Sequence, residues 1–519
     1  MADLILYNAN VMTMDPALSR AQLVAIQDGK ILNVAGNESL KGLRDSNTKV
    51  VDCSGKTILP GFIDTHFHFH AFAESLITLN LEPRNHVRSI SDIQAKIRQL
   101  SQGLPSGTWI RGRRYNEFYL TEKRHPTRWD LDAATTLHPI KLTHRSGHAH
   151  VLNSLALDLV GVSKETADPP EGLIDRDIKT GEPTGLLYSM GDYLAELIPS
   201  MDNDQMERGV ALANTALNSL GITSIQDASP RNNFKRWKML RGWKERGLLK
   251  SRVNMTLGVE GFDEHRRHPF TTPLSENQLN IKGVKIILHE TTGRLSPSQE
   301  ELNERVLHIH QSGLQAILHA IEGKTIEAAC IAIEYALKNS PKLDHRHRIE
   351  HCSVCPPSLT KRLASLGIMV VTQPSFIYYS GERYLRTVPD SNLKHLYPMA
   401  TLMKNGVEVV VSSDCPIVPA NPLIGIYSAT SRMTETGESV FPEERISPLE
   451  ALRMYTYEAA RATFEETIKG SITPGKLADL VVLNGDPTKL PMDEIKDMKV
   501  EMTILNGEIV WDKGLEGIR

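Results

Sequence analysis

Two histidines separated by one residue are the strongest candidates for chemistry in this chain. His66 and His68 lie in the motif GFIDTHFH at 61–68, at the end of a strand predicted at 58–65. Side chains two positions apart on a β-strand point to the same side, so both imidazoles would project together. Two imidazoles placed in this way can bind one divalent metal ion. The H-x-H pattern is weak evidence by itself, and it gains weight from further candidate ligands along the chain.

Four of these further candidates fall at the ends of later predicted strands: Lys285, His319, His351 and Asp414. Each alone is more easily explained as a structural residue, because a single histidine or lysine usually has a hydrogen-bonding or ionic partner. Together with His66 and His68 they would form a metal centre of nitrogen and oxygen ligands with open coordination positions. We therefore predict one or two divalent ions. Zinc is the first choice for an imidazole-rich site, and manganese, iron and cobalt are the alternatives.

Eight candidate strands, separated by helical patterns, position these residues. The strands are predicted at 58–65, 222–227, 252–259, 283–288, 314–319, 347–350, 368–373 and 407–412. Several are runs of β-branched residues with little polar alternation, as in strands buried on both faces. One predicted helix covers 325–338 with Thr325 as N-cap, and another begins at Ser447 with a capping box and Pro448 at its first position. This alternation predicts an α/β fold, a closed (β/α)8 barrel of the TIM type with catalytic groups at its C-terminal rim.

Both ends of the chain are rich in predicted strands, at 3–12, 21–34, 49–52, 479–484, 500–506 and 508–511. We predict a composite β-sandwich domain from 1–57 plus 470–519, with the barrel at 58–469 between its two parts. The first and second barrel strands are about 155 residues apart, whereas a βαβ unit takes roughly 30. We therefore predict an inserted lid subdomain at 74–205 that folds over the barrel mouth.

Nine segments of the chain resemble the amidohydrolase superfamily, specifically its amidohydrolase-3 group of YtcJ-like and N-substituted-formamide-deformylase-like proteins. They span nearly the whole chain, and they are specific for the superfamily but not for a substrate. The segments are LPGFIDTHFH at 59–68, HRSGHAHVLNSLAL at 144–157, TGEPTGLL at 180–187, GITSIQDAS at 221–229, VKI at 284–286, HAIEGKTI at 319–326, HRIEHC at 347–352, SSDCPIVPANPL at 412–423 and GSITPGKLADLVVL at 470–483.

The resemblance implies a role for each candidate ligand. It makes Asp414 the eighth-strand aspartate, which approaches the metal and shuttles the proton of its water. Lys285 matches the fourth-strand lysine, which some members carboxylate to bridge two metals. The remaining metal ligands implied in this way are the first-strand pair His66 and His68, the fifth-strand His319 and the sixth-strand His351.

One departure from the family pattern lies shortly after the fourth-strand lysine. Where relatives commonly have Asp-Gly, this chain has His289-Glu290. The departure leaves the role of Lys285 and the number of metal ions open. His289 or Glu290 would contact the substrate or add a ligand, and a loop substitution without consequence is the alternative.

The inserted segment supplies candidates for substrate binding. The Gly-His motif of the group falls on Gly147-His148, which predicts that His148 polarises the substrate carbonyl. The alternative is a hydrogen-bonded histidine of the lid. Tyr115 and Glu117 are further candidates for lining the same pocket.

These residues together predict a metal-dependent hydrolase of non-peptide carbon–nitrogen bonds in an amide, a formamide or a cyclic amide. The ion would lower the pKa of a bound water from ~15.7 toward ~7. Asp414 would accept the proton of that water and deliver it to the leaving nitrogen. A deaminase or cyclic-ureide hydrolase with the same ligands remains an alternative, as does a non-catalytic metal-binding relative. The complete ligand set argues against the last of these.

Composition excludes several other classes of function. The 519 residues carry 59 basic and 62 acidic side chains, a formal charge of −3, so neither nucleic acid nor an anionic membrane is expected as a partner. The first residues lack the pattern of a secretory signal, and no apolar run approaches the ~18 residues of a spanning helix. Five scattered cysteines favour a reducing cytoplasm. The expected partner is a small amide-like substrate, and a homodimer is left open.

Overall fold

Eight parallel strands form the central sheet. A computed structural model of the protein describes residues 1–169, 172–275, 278–291 and 294–514. Backbone hydrogen bonds from Asp414 N to His66 O (2.9 Å) and from His68 N to Cys415 O (2.8 Å) join the last strand to the first. This nearly closed barrel confirms the predicted α/β class. In sheet order its strands are Phe62–Phe67, Ile222–Asp227, Arg252–Leu257, Leu279–Ile287, Gln315–Ala320, Arg348–His351, Met369–Thr372 and Val409–Val411.

Helices follow most of these strands in the sequence. The barrel strands are almost wholly buried, as their β-branched composition predicts, because the neighbouring helices bury apolar side chains against the sheet. In helix Phe234–Glu245, for example, Trp237 and Trp243 are buried. The other helices outside residues 69–219 are Leu40–Leu43, Val259–Arg267, Gln299–Gln311, Gly323–Asn339, Pro357–Ser365, Ser375–Thr387, Asp390–Leu393, Met399–Lys404, Pro422–Ser431, Pro448–Met454 and Tyr457–Ala462.

The two predicted helix starts have different outcomes. Ser447 is the N-cap of Pro448–Met454 and forms the predicted capping box with Glu450. The prediction for Thr325 is wrong, because helix Gly323–Asn339 begins earlier and has Glu322 as its N-cap. Thr325 lies in the first turn, where its hydroxyl accepts a hydrogen bond from Glu322 N (3.2 Å). The threonine therefore caps the helix from inside the first turn.

The predicted first strand, 58–65, is also incorrect, because the chain changes sheets at Gly61. Strand Thr57–Pro60 pairs with Leu480–Leu483, and the barrel strand begins only at Phe62. Gly61 N still donates to Asp479 O, whereas the next amide, Phe62 N, donates to Gly221 O. A side chain at Gly61 would place its Cβ 2.3 Å from Thr223 Oγ1, so the crossing requires glycine.

Strands from both ends of the chain form two further sheets. The buried residues Leu6, Ile26, Ile58, Val482 and Ile504 belong to one apolar cluster shared by these sheets. The four-stranded sheet has the order Lys30–Ala35, Leu23–Gln27, Leu4–Tyr7, Lys49–Asp52. The six-stranded sheet has the order Glu508–Asp512, Val500–Leu505, Leu480–Leu483, Thr57–Pro60, Asn10–Met12, Arg20–Ala21.

Residues His70–Ala213 form a compact unit separate from the rest of the chain. This unit has its own apolar core, which includes Leu81, Ile93 and Val151. Its sheet has the order Leu173–Arg176, Pro183–Tyr188, Ala149–Leu152, Ile140–His144, Ile110–Tyr115, Leu79–Asn80. Its helices are Ile90–Ser101, Arg128–Asp132, Ser154–Leu159 and Gly191–Leu197, while Phe69–Ser75 and Asn203–Ser219 span its two boundaries in the sequence. Across the described part of the chain, no helix has the length and apolar character needed to cross a membrane.

Gly61→Ala is expected to lower the free energy of unfolding by about 1–3 kcal/mol, because the new methyl group overlaps Thr223. Denaturant unfolding measures this change. Gly42→Ala is the matched control, since an added Cβ in helix Leu40–Leu43 meets no atom within 4 Å. The control should leave stability unchanged or slightly higher. An equal loss in both variants would contradict the steric explanation.

Candidate metal centre

Three potential ligand atoms converge at the C-terminal ends of the barrel strands. His66, His351 and Asp414 each offer an atom, and these three atoms all lie within 4.8 Å of one another. All three side chains are buried. His66 and His351 lie at the ends of their strands and Asp414 follows the last strand, so the parallel barrel brings together residues that are far apart in the sequence.

The other three predicted ligands lie next to this cluster. His68 Nε2 is 3.0 Å from Asp414 Oδ1, and His66 Nε2 is 3.5 Å from the same oxygen. Lys285 Nζ is 3.5 Å from His66 Nε2. The ring of His319 lies 4.4 Å from that of His351, measured between centroids. The structure thus brings all six predicted side chains together, and their role as ligands remains a prediction.

A hydrogen bond at Nδ1 orients each of three imidazoles. His66 Nδ1 contacts Glu350 Oε2. His351 Nδ1 lies 2.8 Å from Gln373 Oε1, and the amide nitrogen of Gln373 donates to Ser412 Oγ (3.0 Å), which assigns Oε1 as the acceptor.

The third imidazole is held in the same way. His68 Nδ1 lies 3.2 Å from Ser229 Oγ. That hydroxyl donates its own proton to Asp227 Oδ1 (2.5 Å), so it accepts the proton of His68. These partners assign the Nδ1–H tautomer to all three histidines and leave each Nε2 with a free lone pair.

The resulting arrangement fits a bound cation. Asp414 Oδ1 is buried, and among the described residues it accepts no well-oriented hydrogen bond. The lone pairs of His66 Nε2 and His68 Nε2 face this negatively charged oxygen, and such atoms repel one another unless a positive charge lies between them. Imidazole nitrogens with a carboxylate oxygen are the donor set of a divalent transition metal. These residues therefore fit the metal that the sequence predicts.

Burial keeps the imidazoles in the protonation state that a metal requires. Burial lowers the pKa of His66, His319 and His351, so all three imidazoles are neutral at neutral pH. Burial raises the pKa of the Asp414 carboxyl, whereas a positive charge beside it, on the His66 imidazole foremost, lowers that pKa to about 2. Neutral imidazoles and an ionised carboxylate are the metal-binding forms of these side chains.

Two further titratable groups border the cluster. Burial lowers the pKa of Lys285 to about 8, against the opposing charges of Glu350 and Asp414. Burial raises the pKa of Asp64 to about 7, while hydrogen bonds from Ser413 oppose the change. Asp64 Oδ1 accepts from Ser413 N (3.1 Å) and Oδ2 from Ser413 Oγ (2.5 Å). Asp64 therefore fastens the first strand to the segment that carries Asp414.

Three residues at the site, Glu350, Gln373 and Asp64, are not among those predicted from the sequence. Arg348 and Glu350 are two charged residues with one residue between them on a four-residue strand that is buried throughout. This pattern was a usable signal, because buried charges are rare and normally paired. Gln373 carried no comparable signal, since its partner is set only by the folded barrel.

The predicted substrate-binding residues of the inserted unit contact other residues of the same unit. Tyr115 is fully buried, and its hydroxyl lies 2.9 Å from His125 Nδ1. Glu117 Oε2 is 2.7 Å from His144 Nε2. Burial would raise the pKa of Glu117, but the contact with His144 lowers it to about 2. His148 is exposed, and its carbonyl accepts from Ser189 N (2.7 Å).

The two residues that depart from the family pattern have different neighbours. His289 lies on the short strand His289–Thr291, with its ring centroid 6.4 Å from that of His319. Glu290 instead forms an exposed ion pair with Lys324 (2.5 Å). His289 is therefore the one of these two residues that neighbours the candidate ligands.

Comparison with known proteins agrees with this geometry. A family model described as the amidohydrolase family matches residues 49–511. The chain belongs to the amidohydrolase family. It is 29% identical to an N-substituted formamide deformylase from Arthrobacter pascens over 99% of both chains. It is 27% identical to the putative amidohydrolase YtcJ from Bacillus subtilis (strain 168), over 97% of this chain and 98% of the other.

A solved structure shares the fold. An uncharacterised metal-dependent hydrolase from Pyrococcus horikoshii OT3 aligns with a TM-score of 0.76 and 23% identity, over 94% of this chain and 99% of the other. The family assignment confirms the predicted class of enzyme, a metal-dependent hydrolase of carbon–nitrogen bonds. The non-catalytic alternative is thereby set aside.

Adding zinc, manganese or cobalt to metal-free protein is expected to raise its unfolding temperature, since an ion that binds only the folded state stabilises it by about 2.7 kcal/mol at 100 times its Kd. Thermal unfolding with and without each ion measures the shift. His351→Ala should abolish the shift. His289→Ala should keep it, because the ring centroid of His289 lies 6.4 Å from that of His319, farther than the 4.4, 4.9 and 5.3 Å between neighbouring rings of the predicted ligands. Equal shifts in the two variants would contradict the placement of the site.

Proposed function

We propose that the protein hydrolyses a small formamide or another non-peptide amide, linear or cyclic, with zinc as its metal. His66, His68, His351 and Asp414 would hold the ion, and His319 and Lys285 would complete the ligand set. The convergence of buried imidazoles on Asp414 supports the metal site. The full-length similarity to an N-substituted formamide deformylase supports a formamide as substrate.

The buried carboxylate of Asp414, beside His66 Nε2 and His68 Nε2, is the observation that carries this proposal. A divalent ion at the site would lower the pKa of a water molecule from ~15.7 toward ~7. The positive charge of that ion would keep Asp414 ionised at neutral pH and available to accept a proton. Once protonated, Asp414 can pass that proton to a poor leaving group such as an amide nitrogen. One side chain thus serves as base and then as acid.

Residues of the inserted unit are proposed to bind the substrate. His148 would donate a hydrogen bond to the substrate carbonyl and stabilise the negative charge that develops on its oxygen. His148 is an exposed residue of this unit. Tyr115 and Glu117 would act through the side chains they contact, His125 and His144. His289, beside His319, would contact the substrate from the barrel.

Asp414→Asn is expected to reduce kcat by several orders of magnitude while the fold is kept, because an amide cannot accept the proton. Steady-state kinetics measures the loss of kcat, and metal analysis on the same sample shows whether the ion is still bound. His66→Ala is the comparison variant and should lose the metal itself. Wild-type turnover by Asp414→Asn would show that the proposed base is wrong.

A panel of N-substituted formamides, linear amides and lactams, tested with zinc-loaded protein, should give a carboxylic acid and an amine from the open-chain substrates and a ring-opened amino acid from the lactams. Chromatography of the products measures this outcome. Release of ammonia from an additional substrate that carries a ring amino group would instead identify a deaminase. Turnover that survives chelation of the metal would contradict the whole mechanism.

His148→Ala is expected to lower kcat without releasing metal, by roughly 10²–10³-fold if its hydrogen bond stabilises the transition state. Kinetics and elemental analysis separate the two effects. Ser189→Ala is a suitable control, because Ser189 contacts the backbone of His148 through its own amide and that contact survives the substitution. An unchanged kcat in His148→Ala would leave this histidine without a role in the reaction.

A further inference from the structure

Glu350 contacts two groups inside the barrel, one with each carboxylate oxygen. Oε2 accepts the proton of His66 Nδ1, and Oε1 lies 2.6 Å from Arg348 Nε. Arg348 Nη2 donates in turn to Thr65 O (3.0 Å), next to His66 in the first strand. The side chains of His66, Glu350 and Arg348 are 1%, 0% and 0% exposed. The three residues therefore form a buried series of contacts that ends at a candidate metal ligand.

We propose that Glu350 is a positioning residue that holds His66 in the Nδ1–H tautomer and increases the electron density at its Nε2. This inference rests on the metal-dependent function proposed above. A carboxylate partner orients a ligating imidazole and makes it a more basic ligand. The corresponding partners of His68 and His351 are uncharged, Ser229 and Gln373. Among these three histidines, His66 is therefore the one with the strongest donor nitrogen.

The energetic cost of burying two charges supports a functional role for the Arg348–Glu350 pair. A buried ion pair often contributes little stability compared with apolar residues of the same volume, because both charges must leave water. Arg348 and Glu350 are both fully buried. Arg348 places a positive charge beside Glu350, and Glu350 acts on the site through His66. The competing explanation is that Glu350 serves only to neutralise Arg348.

A second buried ion pair offers a matched control. Arg252 Nε lies 2.6 Å from Asp479 Oδ2, with side-chain exposures of 2% and 4%. Asp479 also accepts a hydrogen bond from Asn506 N (2.9 Å), and neither contact involves a candidate ligand. Asp479→Asn removes a buried negative charge from beside an arginine, as Glu350→Gln does, without altering a partner of His66.

The experiment measures zinc affinity by competition with a chelating dye, together with the unfolding temperature of the metal-free protein. Glu350→Gln is expected to weaken zinc binding by roughly 10- to 100-fold. Asp479→Asn should lower the unfolding temperature and bind zinc within about twofold of wild type, because its lost charge is not coupled to a ligand. The contrast between these two variants separates positioning from general destabilisation.

A double variant separates positioning from simple neutralisation of charge. Arg348→Met combined with Glu350→Gln removes both buried charges, and it is also the form to test if Glu350→Gln alone does not fold. If Glu350 acts through His66, the double variant still binds zinc weakly. Recovery of wild-type affinity in the double variant, or wild-type affinity in Glu350→Gln, would overturn the proposal. Failure of the wild-type protein to bind zinc would overturn the proposed function instead.

Discussion

The backbone hydrogen bond from Asp414 N to His66 O is the contact on which the candidate site depends. It joins the last barrel strand to the first, and it places the aspartate beside the first-strand histidines. Asp64 strengthens this junction, because its carboxylate accepts hydrogen bonds from both the backbone and the hydroxyl of Ser413. Closing the barrel and assembling the metal site are therefore one structural event, and a change at this junction would affect both.

A second constraint is the cost of burying polar groups. Each imidazole nitrogen removed from water needs a partner, and Glu350, Gln373 and Ser229 supply one for the Nδ1 atoms of His66, His351 and His68. Since Nδ1 is occupied by a proton in every case, each Nε2 keeps its lone pair. The partners thus decide which nitrogen can bind a metal, and the same hydrogen bonds prevent the rings from turning away.

The sequence predicts the elements well where local composition changes sharply, and poorly where it does not. Strand Ile222–Asp227 has the predicted bounds, because Gly221 ends the preceding helix and an apolar run follows. The change of sheet at Gly61 is not predicted, because the apolar run of residues continues through strands of two different sheets. The six candidate ligands were recognisable from their residue types at strand ends. Gln373 was not, because its partner His351 lies on another strand and is defined only by the closed barrel. Glu350 was recognisable as a buried charge, but its contact with His66 was not, for the same reason.

The buried charges around the site also limit what can bind there. Of the charged side chains that contact the His66 side chain or Glu350, Arg348 and Lys285 are basic, and Glu350 and Asp414 are acidic. A divalent cation added to this balanced set would leave an excess of positive charge in a region of low dielectric, where such an excess is costly. Loss of the Lys285 proton reduces the excess, and burial already lowers the pKa of this lysine to about 8. Carboxylation of Lys285, as the family resemblance implies for some members, would make the side chain negative and bring these four side chains to a net charge of −2, which balances one divalent cation. The state of Lys285 therefore sets how much added positive charge these side chains can balance.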